Sequence, residues 1–195
     1  LINGDFYMSK SIIICGVGGQ GTVLAAKVLS QAALSCGQHV LSAETIGMAQ
    51  RGGSVVSHVR IGDDVYSTLI PKGQADIIIA FEAAEAVRNI DYLKPDGTVI
   101  INNKIIQPVT ASLTGKSFST QTMIDFLKSN FKNVIVVDTD ELCSKLGSTK
   151  VANIILLGAA CKTGLIEKDQ LKDALKLLVK PEFYELNIKA LEATL

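Results

Sequence analysis

Closely spaced cysteines, surplus charge and long apolar runs are all missing from this sequence, and each absence excludes a class of protein. The four cysteines, Cys15, Cys36, Cys143 and Cys161, stand far apart. None falls at the spacing of roughly two to four residues that metal and cluster sites use, so no iron–sulfur cluster or metal site is expected from this chain alone. A secretory disulfide framework is not expected either, because 195 residues can build a core without staples and no charged-then-apolar signal pattern is seen. A reduced, cytoplasmic protein is the simplest expectation. Nineteen basic and nineteen acidic residues cancel to a formal charge of zero. That leaves no basic surplus for nucleic acid. The longest apolar stretch, from Ile154 to Cys161, is far short of the ~20 residues needed to span a membrane.

Charged residues make up 19% of the chain and hydrophobic ones 48%. The hydrophobic share excludes disorder. Low charge with no net repulsion suits a solitary monomer poorly, which directs attention to a partner surface and leaves homodimerisation of the isolated chain open. The seven residues before Met8 show no pattern and are set aside as an extension or expression remnant. The rest, 8–195, is expected to form one domain.

Apolar periodicity alternates along the chain. Ser11 to Cys15 reads as a strand buried on both faces, Thr22 to Ser35 as a helix closed by Gly37, and His39 to Ala43 as a second strand. Ser54 to Ile61 alternates strictly, with Val55, Ser57, Val59 and Ile61 on one face and Val56, His58 and Arg60 on the other. The turn residues Gly62-Asp63-Asp64 imply that Val65 to Leu69 returns as a hairpin partner. Ala75 to Phe81 is a further buried strand. Glu82 to Leu93 follows as a helix, Lys94-Pro95-Asp96-Gly97 as a turn, and Thr98 to Asn102 as a strand. Ser119 caps a helix through Asn130 with Met123, Phe126 and Leu127 facing inward, and Asn133 to Asp138 is the last strand. Asp138 and Glu141 offer a capping box, and three helical segments end the chain: Val151 to Lys162, Lys168 to Lys180, and Glu182 onward with Pro181 at its start. Val151 to Cys161 is apolar on every side, which calls for burial against the sheet or, as a second possibility, a share in an interface. The fold class is therefore α/β: three-layer and Rossmann-like, with a mainly parallel sheet, one hairpin and a C-terminal helical tail.

Between the first strand and the first helix, Gly16-Val17-Gly18-Gly19-Gln20-Gly21 satisfies G-x-G-x-x-G. Glycines there permit a tight turn and close backbone approach, and a helix N-terminus favours an anion. Glu44, 23 residues after Gly21, stands where a ribose-binding acid belongs. An independent NAD(P)- or flavin-binding oxidoreductase is one reading, and a packing turn with no ligand is the other. A second glycine-rich segment, Thr45-Ile46-Gly47-Met48-Ala49-Gln50-Arg51-Gly52-Gly53-Ser54, should sit beside the first at the sheet's carboxyl edge. Its Arg51 could engage a carboxylate or phosphate with two hydrogen bonds. His58 is expected to be a covered or solvated strand histidine rather than a base. Cys15 is expected in the core, and nothing near Cys36 or Cys143 favours a reactive thiol.

The two glycine segments, with Ser57-His58-Val59-Arg60-Ile61 and Leu69-Ile70-Pro71-Lys72-Gly73-Gln74-Ala75-Asp76, resemble the gamma-type subunits of 2-oxoacid:ferredoxin oxidoreductases. The turn at Pro95-Asp96-Gly97 extends the likeness. It is greatest to the small (beta) subunits of indolepyruvate ferredoxin oxidoreductase, in which this domain stands alone. Lys72 and Gln74 depart from the family, which often has acidic residues there, and this puts local charge pairing in question. The resemblance implies a subunit with no catalytic residue of its own beyond Arg51 in support. It would pack on a partner that carries thiamine diphosphate, magnesium and iron–sulfur clusters, with coenzyme A as acyl acceptor and ferredoxin reached through the complex. It also implies that the site residues of this chain are Gly16, Gly18, Gly19, Gln20, Gly21, Glu44, Gly47, Met48, Gln50, Arg51, Gly52 and Gly53. No cofactor is expected to be held tightly by this chain alone.

Overall fold

The computed structural model describes residues 9–44, 52–107 and 119–195. Its centre is β1 (Lys10–Val17), where Ile12, Ile13, Ile14 and Cys15 are wholly buried because both faces of the strand are covered. Each such isoleucine contributes about 1.5–3 kcal/mol by leaving water. Six strands form one sheet in the order β2-β3-β1-β4-β5-β6: β2 (Val40–Glu44), β3 (Ser54–Ile61), β4 (Ala75–Ala80), β5 (Leu93–Asn102) and β6 (Asn133–Val137) flank β1. β1, β4, β5 and β6 run parallel, and β3 is antiparallel to both β1 and β2. The sheet is thus mainly parallel with one hairpin.

Helices cover both faces. On one side α1 (Thr22–Ser35), α4 (Thr139–Leu146), α5 (Ala152–Cys161), α6 (Lys168–Leu178) and α7 (Pro181–Glu192) pack on Ile12, Ile14, Val59, Ile77, Ile79 and Ile100. On the other, α2 (Ala83–Asn89) and α3 (Thr120–Asn130) cover Ile13, Cys15, Ile78, Ala80, Val99 and Ile101. The alternation of β1 between Ile12/Ile14 and Ile13/Cys15 is what divides the two cores. Every residue of α5 from Asn153 to Ala160 is buried within the chain, so the apolar helix is interior, packed between β5 and the neighbouring helices α1, α4 and α7.

Four expectations need correction. Val65 to Leu69 is not a strand. Both edges of β3 are occupied, by β1 and β2, so nothing is left for a third partner to pair with. The hairpin is instead β2–β3, and the 65–70 segment is tied down by side chains. Ile70 N–H donates to His58 Nδ1 at 3.1 Å, and Arg60 Nη1 donates to Ser67 O at 3.1 Å. Lys94 to Gly97 is not a turn between elements but a bulge inside β5. Ala75 pairs with Leu93 and Ile77 with Thr98, so Asp76 alone faces the four residues 94–97. The helix expected to reach Leu93 ends at Asn89, followed by a short 3-10 turn, Ile90–Tyr92. On α3 the buried residues are Ile124 and Leu127, while Phe126 is 45% exposed.

Smaller expectations hold. Ser119 Oγ accepts from Thr122 N–H, and Asp138 Oδ1 accepts from Glu141 N–H, the N-cap half of the expected capping box. Pro181 opens α7. The departure at Lys72 does not cost a partner, since its Nζ donates to Asp91 Oδ2 at 3.0 Å in an exposed pair. No described helix is long and apolar enough to cross a membrane.

Candidate functional site: two glycine loops at the carboxyl edge

The first glycine loop leaves β1 at the carboxyl edge of the sheet, where β1 and β4 diverge in their connections and α/β folds place ligands. Its interior is closed by its own residues. Gln20 Oε1 accepts from Val17 N–H at 2.7 Å, and Gln20 N–H donates to Val17 O at 3.1 Å. A Cβ at Gly16 would meet that same Oε1 at 2.6 Å and Phe81 Cβ at 2.8 Å, so only glycine fits there. Gly21 turns the chain into α1 in the left-handed region with φ 88°, and no side chain caps the helix.

The described end of the second glycine segment, Gly52-Gly53, lies against the first loop, where the sequence led us to expect it. Gly18 N–H donates to Gly53 O at 2.8 Å, and Gly52 N–H donates to Gly18 O at 3.2 Å. Since Val17 pairs with Ser54, the first of these bonds carries the β1–β3 ladder one step past the strand ends. Gly47, Met48, Gln50 and Arg51, the rest of the expected site, lie outside the described residues. Glu44 is in a different place from the one a dinucleotide fold requires. It pairs with Ser57, and Ser57 pairs with Ile14, so β3 stands between Glu44 and β1 at two strand spacings, about 10 Å.

Beside the loops a cleft of about 460 Å³ opens over the ends of β4, β5 and β6. Gly19, Gln20 and Gly21 form one wall, with Asn102, Lys104 and Thr139 opposite. Lys104 Nζ bonds both carboxylate oxygens of Asp140 at 2.8 and 2.9 Å. Asn102 Oδ1 accepts from both the N–H and the hydroxyl of Thr139 and thereby fixes the start of α4. Asn153 reaches Gly21 O at 3.5 Å from 132 residues away. These residues were not singled out by the sequence. The ends of β5 and β6 at a carboxyl edge were a usable signal for Asn102 and Thr139, whereas nothing local announces Asn153.

Titratable groups around the edge are tuned by burial. Burial pushes the Glu82 carboxyl up, although its Oε2 accepts from Ile106 N–H at 2.7 Å. Burial also drives the Cys15 thiol well above its ordinary value, with the Glu85 and Glu82 charges adding to the effect. Cys143 is raised by burial, and Cys161 reaches about 11 for the same reason. None of these three thiols is activated. His58 is lowered by burial; its ring meets Tyr92 edge-on at 5.6 Å and accepts from backbone, the role of a packed strand histidine. Among the described residues no group of three or more His, Cys, Asp or Glu side chains could hold a metal ion.

The profile of the pyruvate ferredoxin/flavodoxin oxidoreductase family matches residues 11–195. The chain belongs to that family. It is 38% identical over 186 residues to the indolepyruvate oxidoreductase subunit IorB of Thermococcus kodakarensis, covering 93% of this chain and 92% of the relative. To the common gamma subunit of the pyruvate/ketoisovalerate oxidoreductases of Pyrococcus furiosus it is 27% identical over 178 residues, covering 90% and 89%. Among solved structures, the gamma subunit of a keto/oxoacid ferredoxin oxidoreductase from Geobacter sulfurreducens superposes with a TM-score of 0.69 at 25% identity, covering 95% of both chains. The resemblance seen in the motifs is thereby borne out for the family. The independent dinucleotide reading loses its geometry in this member of the family. The Val17 and Gly18 N–H groups are already bonded, and the acid is a strand too far away.

Proposed function

We propose that this chain is the gamma-type subunit of a 2-oxoacid:ferredoxin oxidoreductase. In this reading, residues 8–195 form one domain whose carboxyl edge packs on the thiamine-binding partner and shapes its active site. The observation that carries the reading is the family match along nearly the whole chain, to relatives of the same length that are themselves separate subunits. The joined glycine loops support it. With their inner N–H groups already bonded, the backbone of Gly16 to Gly21 and of Gly52 and Gly53 forms a preset surface rather than a cradle for a phosphate. Gly47, Met48, Gln50 and Arg51 belong to the same proposed surface, with Arg51 as the side chain that meets an acidic group of substrate or cofactor.

The residues described do not fit the family's cofactors. No cysteine pair stands at cluster spacing, and no carboxylate–amide set is gathered for magnesium and a diphosphate. Thiamine diphosphate, magnesium and the clusters are therefore assigned to the partner, as are the 2-oxoacid chemistry, transfer to coenzyme A and reduction of ferredoxin. This chain contributes enclosure and positioning. Indolepyruvate is the first substrate to test, given the relatives that share 38% identity.

Reconstitution tests the reading. The chain alone should reduce no viologen dye with indolepyruvate, pyruvate or 2-oxoglutarate. Mixed with its native thiamine-binding subunit, it should restore coenzyme A-dependent reduction with one of them. Tight binding of NAD, NADP or FAD to the isolated chain by calorimetry, with no activity on mixing, would overturn it.

A further inference from the structure

Beside the junction of the glycine loops lies a buried polar set that neither packing nor the proposed surface explains. The Glu85 side chain is 3% exposed. Its Oε2 accepts from Ser54 Oγ at 2.6 Å, and its Oε1 stands 3.4 Å from Arg88 Nε. The backbone beneath it is pinned as well, because Glu85 O accepts from Asn89 Nδ2 at 2.9 Å and lies 3.5 Å from the Cys15 thiol. Burying a carboxylate is costly even when it is paired, and an apolar side chain of similar size would avoid that cost. The group bonded to this anchored carboxylate is the residue that follows Gly52-Gly53 directly. Glycine backbones give up more freedom than any other on ordering, so a loop made of them needs an external restraint to hold one shape.

We infer that Glu85 is a positioning residue: through Ser54 it fixes Gly52 and Gly53 against Gly18, and so sets the shape of the surface offered to the thiamine-binding partner. The role rests on the proposed function. It acts at two removes from any cofactor, since Glu85 touches Ser54, Ser54 continues into Gly53, and Gly53 bonds the first loop. Together with the backbone bonds at Gly18, the hydroxyl gives Gly52-Gly53 two independent attachments, one to the first glycine loop and one to α2.

Two measurements test it. In the isolated chain, Ser54→Ala should speed hydrogen exchange of the Gly18 and Gly52 amides about tenfold or more, the scale of one lost buried hydrogen bond. Ser54→Thr, which keeps the hydroxyl, should stay near wild type, and unchanged exchange in α3 reports an intact fold. Wild-type exchange rates in Ser54→Ala would overturn the tether. In the reconstituted holoenzyme, with indolepyruvate and pyruvate each as probe, Ser54→Ala and Glu85→Gln should lower kcat per assembled complex. Because the rate is read per assembled complex, any weakening of the subunit contact is separated from it, and Ser54→Thr should recover the rate. A lower yield of complex with wild-type kcat would make Glu85 a merely structural residue and overturn the inference. Failure of the wild-type chain to reconstitute would instead overturn the functional reading on which the role rests, while the exchange experiment still decides whether the tether exists.

Discussion

Gln20 and His58 both work as hydrogen-bond acceptors for backbone that has no regular partner, and both were singled out by the sequence for other reasons. Gln20 folds back into the loop that was expected to face a ligand, occupying the space beside Gly16. His58 holds Ile70 N–H through Nδ1, which requires a neutral ring protonated on Nε2. Protonation of Nδ1 would replace that acceptor with a donor. Burial keeps the His58 pKa below 6.5 in the folded chain. The unfolded state therefore binds a proton first, and the stabilisation is fully present above about pH 6.5 and is lost as pH falls through the lower folded value. Urea denaturation of wild type should show stability falling from pH 6.5 toward pH 5. His58→Gln, which keeps an acceptor and cannot titrate, should flatten that part of the slope.

Elements are joined here at points where side chains are absent. α5 and α7 approach so closely at Gly158 that a Cβ would lie 2.1 Å from Leu191 O. Alanine is favoured over glycine in a helix interior by about 1 kcal/mol. Overpacking against backbone that cannot rotate away costs about 1–3 kcal/mol or more. At 2.1 Å the second effect wins, and Gly158→Ala should lower the unfolding free energy by up to about 2 kcal/mol, read from the urea midpoint at constant m.

Most elements were legible in the sequence, whereas their pairing was not. Val55, Ser57, Val59 and Ile61 announced the buried face of β3 by their period of two, and that face is the buried one. Which strands lie beside β3 depends on β1 and β2, which no window around β3 contains, so the 65–69 segment was given an edge already in use. Pro95-Asp96-Gly97 carried turn chemistry that a bulge also uses. The strand register on both sides, Ala75 with Leu93 and Ile77 with Thr98, distinguishes them, and the 2.7 Å ion pair of Lys94 Nζ with Asp76 Oδ1 ties the bulge to β4. On α3 Leu127 is buried as expected and Met123 packs partly buried against the core, while Phe126 faces outward and Ile124 takes the remaining inward place. Within the site, the nearness of the two glycine segments was expected from the rule that open α/β sheets bind ligands at the carboxyl edge, and Gly52 and Gly53 do bond Gly18. The cleft residues Lys104, Thr139 and Asn153 come from three separate connections that meet only in the folded chain.

For the whole molecule, a formal charge of zero and a charged fraction of 19% leave little electrostatic resistance to association. The proposed contact uses one edge of the sheet, so a partner's footprint should be one-sided. Adding the thiamine-binding subunit should slow amide exchange at Gly18, Gly19 and Gly52. Exchange around Asp76 and the bulge at Lys94 to Gly97, at the opposite edge, should not change. Protection spread evenly over both edges would point to global stabilisation instead of a local seat.

The ladder between β1 and β3 does not stop where the strands do; it continues into Gly18 and Gly53. The location of the second glycine loop is therefore written mainly outside the loop, in Val55, Val59 and Ile61. A slip of β3 by one residue would move Gly53 about 3.4 Å along the strand axis relative to Gly18 and turn those side chains toward the wrong core. Substitutions that loosen the buried face of β3 should consequently misplace the loop, even with every glycine in it intact.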